Sequence, residues 1–417
     1  MKFCKTGRWL ATSIVSLSAA LALTSCGSDF TVGFLFVPLA QINSQGGGGV
    51  NVFRVKHNFG NLTLMNPTPI SSGGPNAVHA IVTGAGRFLY VVNQGAAPGA
   101  TSAVELFSIG GGGVLTPQLG YGTQGTSPIN LTADSTGAHL YVVDQIAPDG
   151  APCPNGMTQP AGATAATSLC GEITAFGIDS TTGRLTLIQN QNLTDANGTQ
   201  LTYFPVGKNP IKIVATGGFL LVLDQGDSTV FPYQVAANGQ LTLTQNGPLN
   251  TGGTNLSAIT VSSTSVYITD AGTNQILPYT LGANGSLSLQ NGGPVANQAG
   301  SANPDAILVA QGGKFLYVGN RTNTNTNLPN SSISAFTIDP SNGKLQGIAG
   351  GPYPADSGLN CLVEDPSNQY IYGSAFDNSS VTGQLIRSTG ELQPLQHGTS
   401  FKINGNPNCL VGSGRVN

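Results

Sequence analysis

Charge is what this sequence has least of. Of 417 residues, 15 are Lys or Arg and 18 are Asp or Glu, 8% of the chain, against roughly 25% in an average soluble protein. The basic residues are few and scattered, which excludes a nucleic-acid footprint, because neutralising phosphates needs a clustered basic face. Tryptophan occurs once, methionine three times and histidine four times. No GxSxG, HExxH or CxxC pattern is present, so those hydrolase, zinc and redox motifs find no support. Apolar spacings of helix length are also few. The surface must then be Asn, Gln, Ser, Thr and Gly, a covering whose charge changes little with pH and which suits an acidic exterior.

The first 25 residues read as a targeting segment. Lys2, Lys5 and Arg8 precede an apolar run, Trp9 to Leu23, that is short for a membrane span. The run closes on Leu23-Thr24-Ser25-Cys26, which resembles a bacterial lipobox. The resemblance implies lipid on Cys26, a short tether over 26–29 and a mature chain beginning at the cysteine; a plain secretory signal is the alternative. Gly27, rather than Asp, after the cysteine points to an outer-membrane lipoprotein of the cell envelope, periplasmic or surface-exposed. Removing Lys2, Lys5 and Arg8 leaves 12 basic against 18 acidic residues, a formal charge of −6.

Glycine is abundant, 58 residues, and it is placed regularly. Seven times a Gly-x-Leu follows a polar turn: at Gly60, Gly113, Gly183, Gly239, Gly285, Gly343 and Gly390. Each such Gly supplies the positive φ of a short hairpin, and the Leu opens the next strand on its buried face. Upstream lie aromatic runs such as "RFLYVVNQ" and "KFLYVGNR", and before most of these a short Pro-led strand such as "PIKIVA" or "PDAILVA". Four strands per unit and seven units predict an all-β fold, a seven-bladed β-propeller of four-stranded antiparallel blades over 30–417. Residues 30–65 lack an inner strand, and the C-terminal "NPNCLVGSG" supplies one. The two termini are therefore expected to share one blade and close the ring.

The fifth unit, "KFLYVGNRTNTNTNLPNSSISAFTIDPSNGKLQGI", resembles the lactonase-type seven-bladed propellers, which include 6-phosphogluconolactonase and carboxymuconate lactonizing enzyme. The resemblance implies lactone chemistry at one mouth of the central channel, without metal or organic cofactor. It also implies a role for Arg321, the arginine of the Asn-Arg pair, in holding a carboxylate or a developing oxyanion. The family's Gly-Pro-Arg-His and Asn-Glu in the preceding blade have no counterpart here. That blade reads "TNLSAITV" and "VYITDAG", with Asp270 and Ala271 in place of Asn-Glu.

Inner strands of a propeller line its axis, so the residue two after each leading Pro should recur around the channel. That reading gives His79, Asn130, Lys212, a position near Ser257, Ala306, Cys361 and Cys409. The ends of the second strands add Gln94, Asp144, Gln145, Asp224, Asn320 and Arg321. Arg321 and His79 are the candidate catalytic pair, with His79 as general base. Lys212, Asn130, Gln94, Asp144, Gln145, Asp224 and Asn320 are candidates for substrate binding. Each has a structural alternative, as a water-bound channel side chain or a turn cap.

Four cysteines remain once Cys4 leaves with the leader and Cys26 takes lipid. Cys153 and Cys170 bracket an insertion, roughly 146–171, and a bond there closes a loop that lacks a core of its own. Cys361 and Cys409 occupy equivalent positions in neighbouring blades, about 6 Å apart if inner strands sit about 7 Å from the axis, within disulfide reach. With His79 on the next blade, the same two cysteines could instead bind zinc or copper; an oxidising compartment favours the disulfide. The expected function is a lipid-anchored, lactonase-like module that binds or scaffolds with a degenerate site. Its partners would be the membrane, a small lactone or carbohydrate, and an envelope protein. The alternative is an active hydrolase of a carboxylated or phosphorylated lactone.

Overall fold

The computed structural model describes residues 30–42, 47–95, 103–323 and 330–414. The expected leader, Cys26 and the expected tether lie outside the described residues. Within them the chain forms seven antiparallel sheets arranged as a seven-bladed propeller. Apart from short 3-10 turns such as Gly84–Gly86 and Gly111–Gly113, its regular structure is strand. Among the described residues no helix is long and apolar enough to cross a membrane.

Blades 1 to 6 start from the inner strands Ala77–Thr83, Thr126–Ala133, Pro210–Thr216, Leu256–Ser262, Ser301–Ala310 and Leu359–Glu364. Each runs inner, second, third and outer strand by successive antiparallel hairpins. Blade 7 is composite. The N-terminal strand Thr31–Ile42 pairs on one side with Gly49–Lys56 and on the other with Gly405–Pro407 and Val411–Gly414. Most blades exceed four strands, because the outer edge breaks in two. In blade 2, Leu185–Leu187 pairs with one end of the third strand and Phe204–Pro205 with the other.

All seven repeat glycines adopt positive φ, from 64° at Gly60 to 84° at Gly390. Their geometry also serves the neighbouring blade. A methyl on Gly390 would lie 2.5 Å from the Phe315 ring of blade 5, and one on Gly183 2.7 Å from the Phe88 ring of blade 1. Seating each hairpin against the preceding blade therefore requires the absence of a side chain as well as the left-handed backbone. In five of the seven seams a tyrosine of the second strand completes the contact. Tyr90, Tyr141, Tyr267, Tyr317 and Tyr372 donate to the carbonyls of Gly183, Gly239, Gly343, Gly390 and Gly60. Phe36 and Leu221 fill the other two positions, fully buried.

The apolar core is distributed between blades. Tyr141, Val143 and Ile173 of blade 2 cluster with Ile213, Leu220, Val222 and Phe231 of blade 3. Leu35, Val37 and Phe53 of blade 7 cluster with Tyr370, Tyr372 and Val381 of blade 6. Both faces of each sheet are covered, which is why the strands read as nearly continuous apolar runs.

Both cysteine pairs are bonded. Cys153 and Cys170 have Cα atoms 5.7 Å apart, Cys361 and Cys409 5.0 Å apart. The second bond fastens the terminal inner strand to blade 6, while Asn408 Nδ2 donates to the Ala77 carbonyl of blade 1 at 2.8 Å. These bonds indicate a compartment outside the cytoplasm. With both channel cysteines consumed, no cluster of three metal-ligating side chains forms among the described residues. The insertion differs from expectation in having a small core. Ala147, Ala151, Cys153 and Cys170 pack with Leu201 and Tyr203 from the loop after the outer strand of the same blade.

Candidate functional site

Each inner strand begins at one mouth of the channel, and the residue entering it is often held at positive φ: Asn76, Ser127, Asn209, Asn303 and Gly358. Asn is the non-glycine residue that best tolerates this conformation. It thereby brings amide side chains to the rim. The second strands end at the same mouth, and their last residues alternate. Asn93, Asp144, Asp224, Asp270 and Asn320 turn into the blades, at 0–1% exposure, while the next residue in line, such as Gln94, Gln145, Gln225 or Arg321, turns to the rim.

The rim amides form a directional relay. Asn76 Nδ2 donates to Gln94 Oε1 (2.9 Å), Gln94 Nε2 to Gln145 Oε1 (3.2 Å), and Gln145 Nε2 to Asn209 Oδ1 (2.8 Å). Asn209 Nδ2 continues to Gln225 Oε1 (3.1 Å) and Gln225 Nε2 to Asn255 Oδ1 (2.9 Å). This arc runs from blade 1 to blade 4 without a charged member. Blade 5 interrupts it with Arg321, whose guanidinium lies 3.5 Å from Asp305 Oδ2 and 3.7 Å from Asp377 Oδ1.

Below the rim is a cavity of about 280 Å³ bounded by the inner strands. His79, Asn130, Thr132, Lys212, Asp305 and Asn360 supply its polar groups, the Cys361–Cys409 disulfide part of its wall, and aliphatic residues including Ile81, Val214 and Ile307 much of the rest. Burial, then the neighbouring Lys212 charge, push the His79 imidazole down to about 3, so it is neutral. Burial also lowers the Lys212 ammonium, which the Asp305 carboxylate partly offsets. His79 Nδ1 and Asn360 Oδ1 are buried without a hydrogen-bond partner.

The structure thus brings His79, Asn130 and Lys212 together in the cavity and places Gln94, Gln145 and Arg321 at its mouth. It places Asp144, Asp224 and Asn320 inside their blades, away from the channel surface. In blade 4 the residue in register with Lys212 is Ala258, because a bulge follows Leu256. Ser257 turns inward and bonds Thr269 and the Pro304 carbonyl. The same bulge between Pro304 and Ala306 turns Asp305 toward the channel, and Asn360 occupies the corresponding place in blade 6. Sequence reading missed both, since it counted to the residue after the bulge.

Asp270 is fully engaged. Its carboxylate accepts from the backbone N–H groups of Asn255 (2.8 Å), Gly272 (3.0 Å) and Thr254 (3.1 Å) and from the Thr273 hydroxyl (2.8 Å). Burial raises its pKa, but these hydrogen bonds outweigh that and hold it below the ordinary carboxylate value.

Residues 293–403 match a family model described as a lactonase, 7-bladed β-propeller. That segment spans the strands of blades 5 and 6 and includes Arg321. No curated protein matches the chain in sequence. Among solved structures, a candidate 6-phosphogluconolactonase from Bacteroides fragilis is 18% identical with a TM-score of 0.65, covering 92% of this chain and 98% of that one. A Lactobacillus plantarum protein is 17% identical (TM-score 0.66, 92% and 99% covered). The periplasmic gluconolactonase of Pseudomonas aeruginosa is 14% identical (TM-score 0.63, 92% and 100% covered). At such identities the likeness concerns the fold.

Proposed function

We propose that this lactonase-type propeller is a binding module of the bacterial cell envelope, anchored in the outer membrane through lipid on Cys26. Its channel mouth holds a small lactone or carbohydrate without hydrolysing it. The observation that carries this reading is that the charged groups a ring-opening reaction would use are already engaged. Arg321 faces two carboxylates, and Asp270, next to the Ala271 that stands in place of the family's Glu, accepts four hydrogen bonds. What remains at the rim is an arc of neutral amides, which suits ligands rich in hydroxyl and carbonyl groups. An envelope protein as a further partner belongs to the same proposal.

One observation favours hydrolysis instead. His79 is neutral, with Nδ1 unpartnered, in the same cavity as Lys212, as a general base beside an anion-holding cation would be. Turnover of a panel of carboxylated, phosphorylated and neutral lactones by the purified chain decides between the readings. Binding without turnover is expected. Turnover that disappears in Arg321→Ala would overturn the binding reading. Metabolic labelling with a fatty acid, lost in Cys26→Ala, is the expected outcome for the anchor; equal labelling would overturn it.

A further inference from the structure

Lys212 is the cation of the channel cavity, and its surroundings are unusual for an ammonium group. Among the described residues no ion pair engages it, and Asp305, the acid of the same cavity, pairs with Arg321 instead. Around it stand an imidazole nitrogen and an amide oxygen that are both buried and both without partners, His79 Nδ1 and Asn360 Oδ1. Two buried polar atoms without partners, from two blades, beside an amine of a third blade that no ion pair engages, leave the cavity incomplete as it stands, because buried polar atoms are normally satisfied.

We propose that Lys212 is an amine nucleophile that captures a small hydroxyaldehyde in the channel as an imine. The inference rests on the reading of the channel as a binding site and names the ligand class it would hold. The cavity, about 280 Å³, lies at the small end of ligand pockets and admits a two- or three-carbon compound with room to spare. The ligand's hydroxyl would donate to Asn360 Oδ1, and its carbonyl carbon would meet the Lys212 nitrogen.

The step balances without an oxidant or a reductant. The nitrogen lone pair forms the C–N bond while the carbonyl π pair moves to oxygen. One proton passes from nitrogen to that oxygen, with His79 as carrier, giving a carbinolamine. The hydroxyl then leaves as water with the second nitrogen proton, and the C=N bond forms. Desolvation favours the free amine this needs, as it does for other reactive lysines, and a neutral imidazole can relay the proton. The titratable groups facing Lys212 are His79 and Asp305; the cavity's cysteines are bonded.

The test is reductive trapping. The purified chain is incubated at pH 7 with glycolaldehyde and cyanoborohydride, and modified lysines are located by peptide mass mapping. Lys212 is expected to be modified at least about tenfold faster than the exposed Lys314 and Lys344, because burial favours its free amine and the cavity holds the aldehyde beside it. Lys212→Met, shown to be folded by its melting curve, should lose that adduct alone. Labelling of Lys212 no faster than of Lys314 overturns the proposal. So does protection by glycolate with no adduct from the aldehyde, which would make Lys212 an anion clamp. Neither result bears on lactone binding or turnover, which are measured separately.

Discussion

The hydroxyl of Tyr372, in blade 6, donates to the carbonyl of Gly60, in blade 7, at 2.6 Å and across 312 residues of sequence. The same bond type joins four other neighbouring pairs of blades, so the ring is closed at its ends by the device that holds it together elsewhere. Tyr372→Phe leaves the buried Gly60 carbonyl without its donor and is expected to cost about 1–3 kcal/mol. Tyr267→Phe should cost a similar amount at Gly343. Denaturant unfolding of the two variants checks this; an unchanged midpoint for both would show that the clasp contributes nothing.

Gly390→Ala is expected to cost more. It places a side chain at φ 84° and a methyl 2.5 Å from Phe315 and from Ile348. Left-handed backbone and overpacking together predict a loss of about 2–4 kcal/mol. Gly398→Ala is the comparison, with φ 107° but open space around it, and should lose only the backbone part. The two melting temperatures, measured side by side, separate the terms.

The two disulfides should differ in effect. Cys361–Cys409 closes 48 residues and Cys153–Cys170 closes 17, which corresponds to about 4 and about 3 kcal/mol in the chain-entropy model. The first also fastens the closing strand. Cys361→Ser with Cys409→Ser should lower the global unfolding midpoint, and deleting 405–417 should lower it further. Cys153→Ser with Cys170→Ser should chiefly speed proteolysis within the insertion. A truncation that melts like the full chain would refute closure by the terminal strand.

Asp144 and Glu172 face each other across two strands of blade 2, both fully buried. Glu172 Oε1 accepts from Gly125 N–H and the Thr174 hydroxyl, and Asp144 Oδ1 from the Thr123 hydroxyl. Their second oxygens have no other donor, as expected of two carboxyls sharing a proton. Burial, eased by hydrogen bonds, pushes Asp144 up to about 7; burial and then the Asp144 charge raise Glu172 well above its ordinary value. Burial likewise raises Asp224. Groups raised in this way hold more protons folded than unfolded, so their stabilisation is full below about pH 4 and, for Asp144, is lost as pH rises through about 7. His79, depressed to about 3, acts oppositely and removes stability as pH falls from about 6.5 towards 3. Glu172→Gln keeps the acceptor oxygen and puts an N–H where the shared proton sat. It should stabilise the protein at pH 8 by about 1–3 kcal/mol and have little effect at pH 4. Parallel stability curves for the variant and the parent would exclude the shared proton.

The propeller was legible because its determinants are local and repeated. Seven Gly-x-Leu turns, each needing positive φ, mark seven hairpins wherever the chain places them. Inner strands equivalent in sequence must be neighbours in a ring, and this brought Cys361 to Cys409. The site was only half legible, because a strand reads as a period of two and a bulge shifts that period by one residue. Counting from Pro reached His79 and Lys212 but passed over Asp305 and Asn360, which the bulges turn toward the channel. At the ends of the second strands the same alternation sends Asp144 inward and Gln145 to the rim.

The sequence alone determined the fold class, the number of blades, the shared terminal blade and which cysteines would be neighbours, since each follows from spacing along the chain. The tertiary structure alone decided what each charge meets. Glu172 reaches Asp144 only after a 25-residue insertion folds back, Asp305 and Asp377 flank Arg321 from two blades, and Lys212 is left facing His79 across the channel. Such encounters depend on the radius and register of the closed ring, which no stretch of sequence carries by itself.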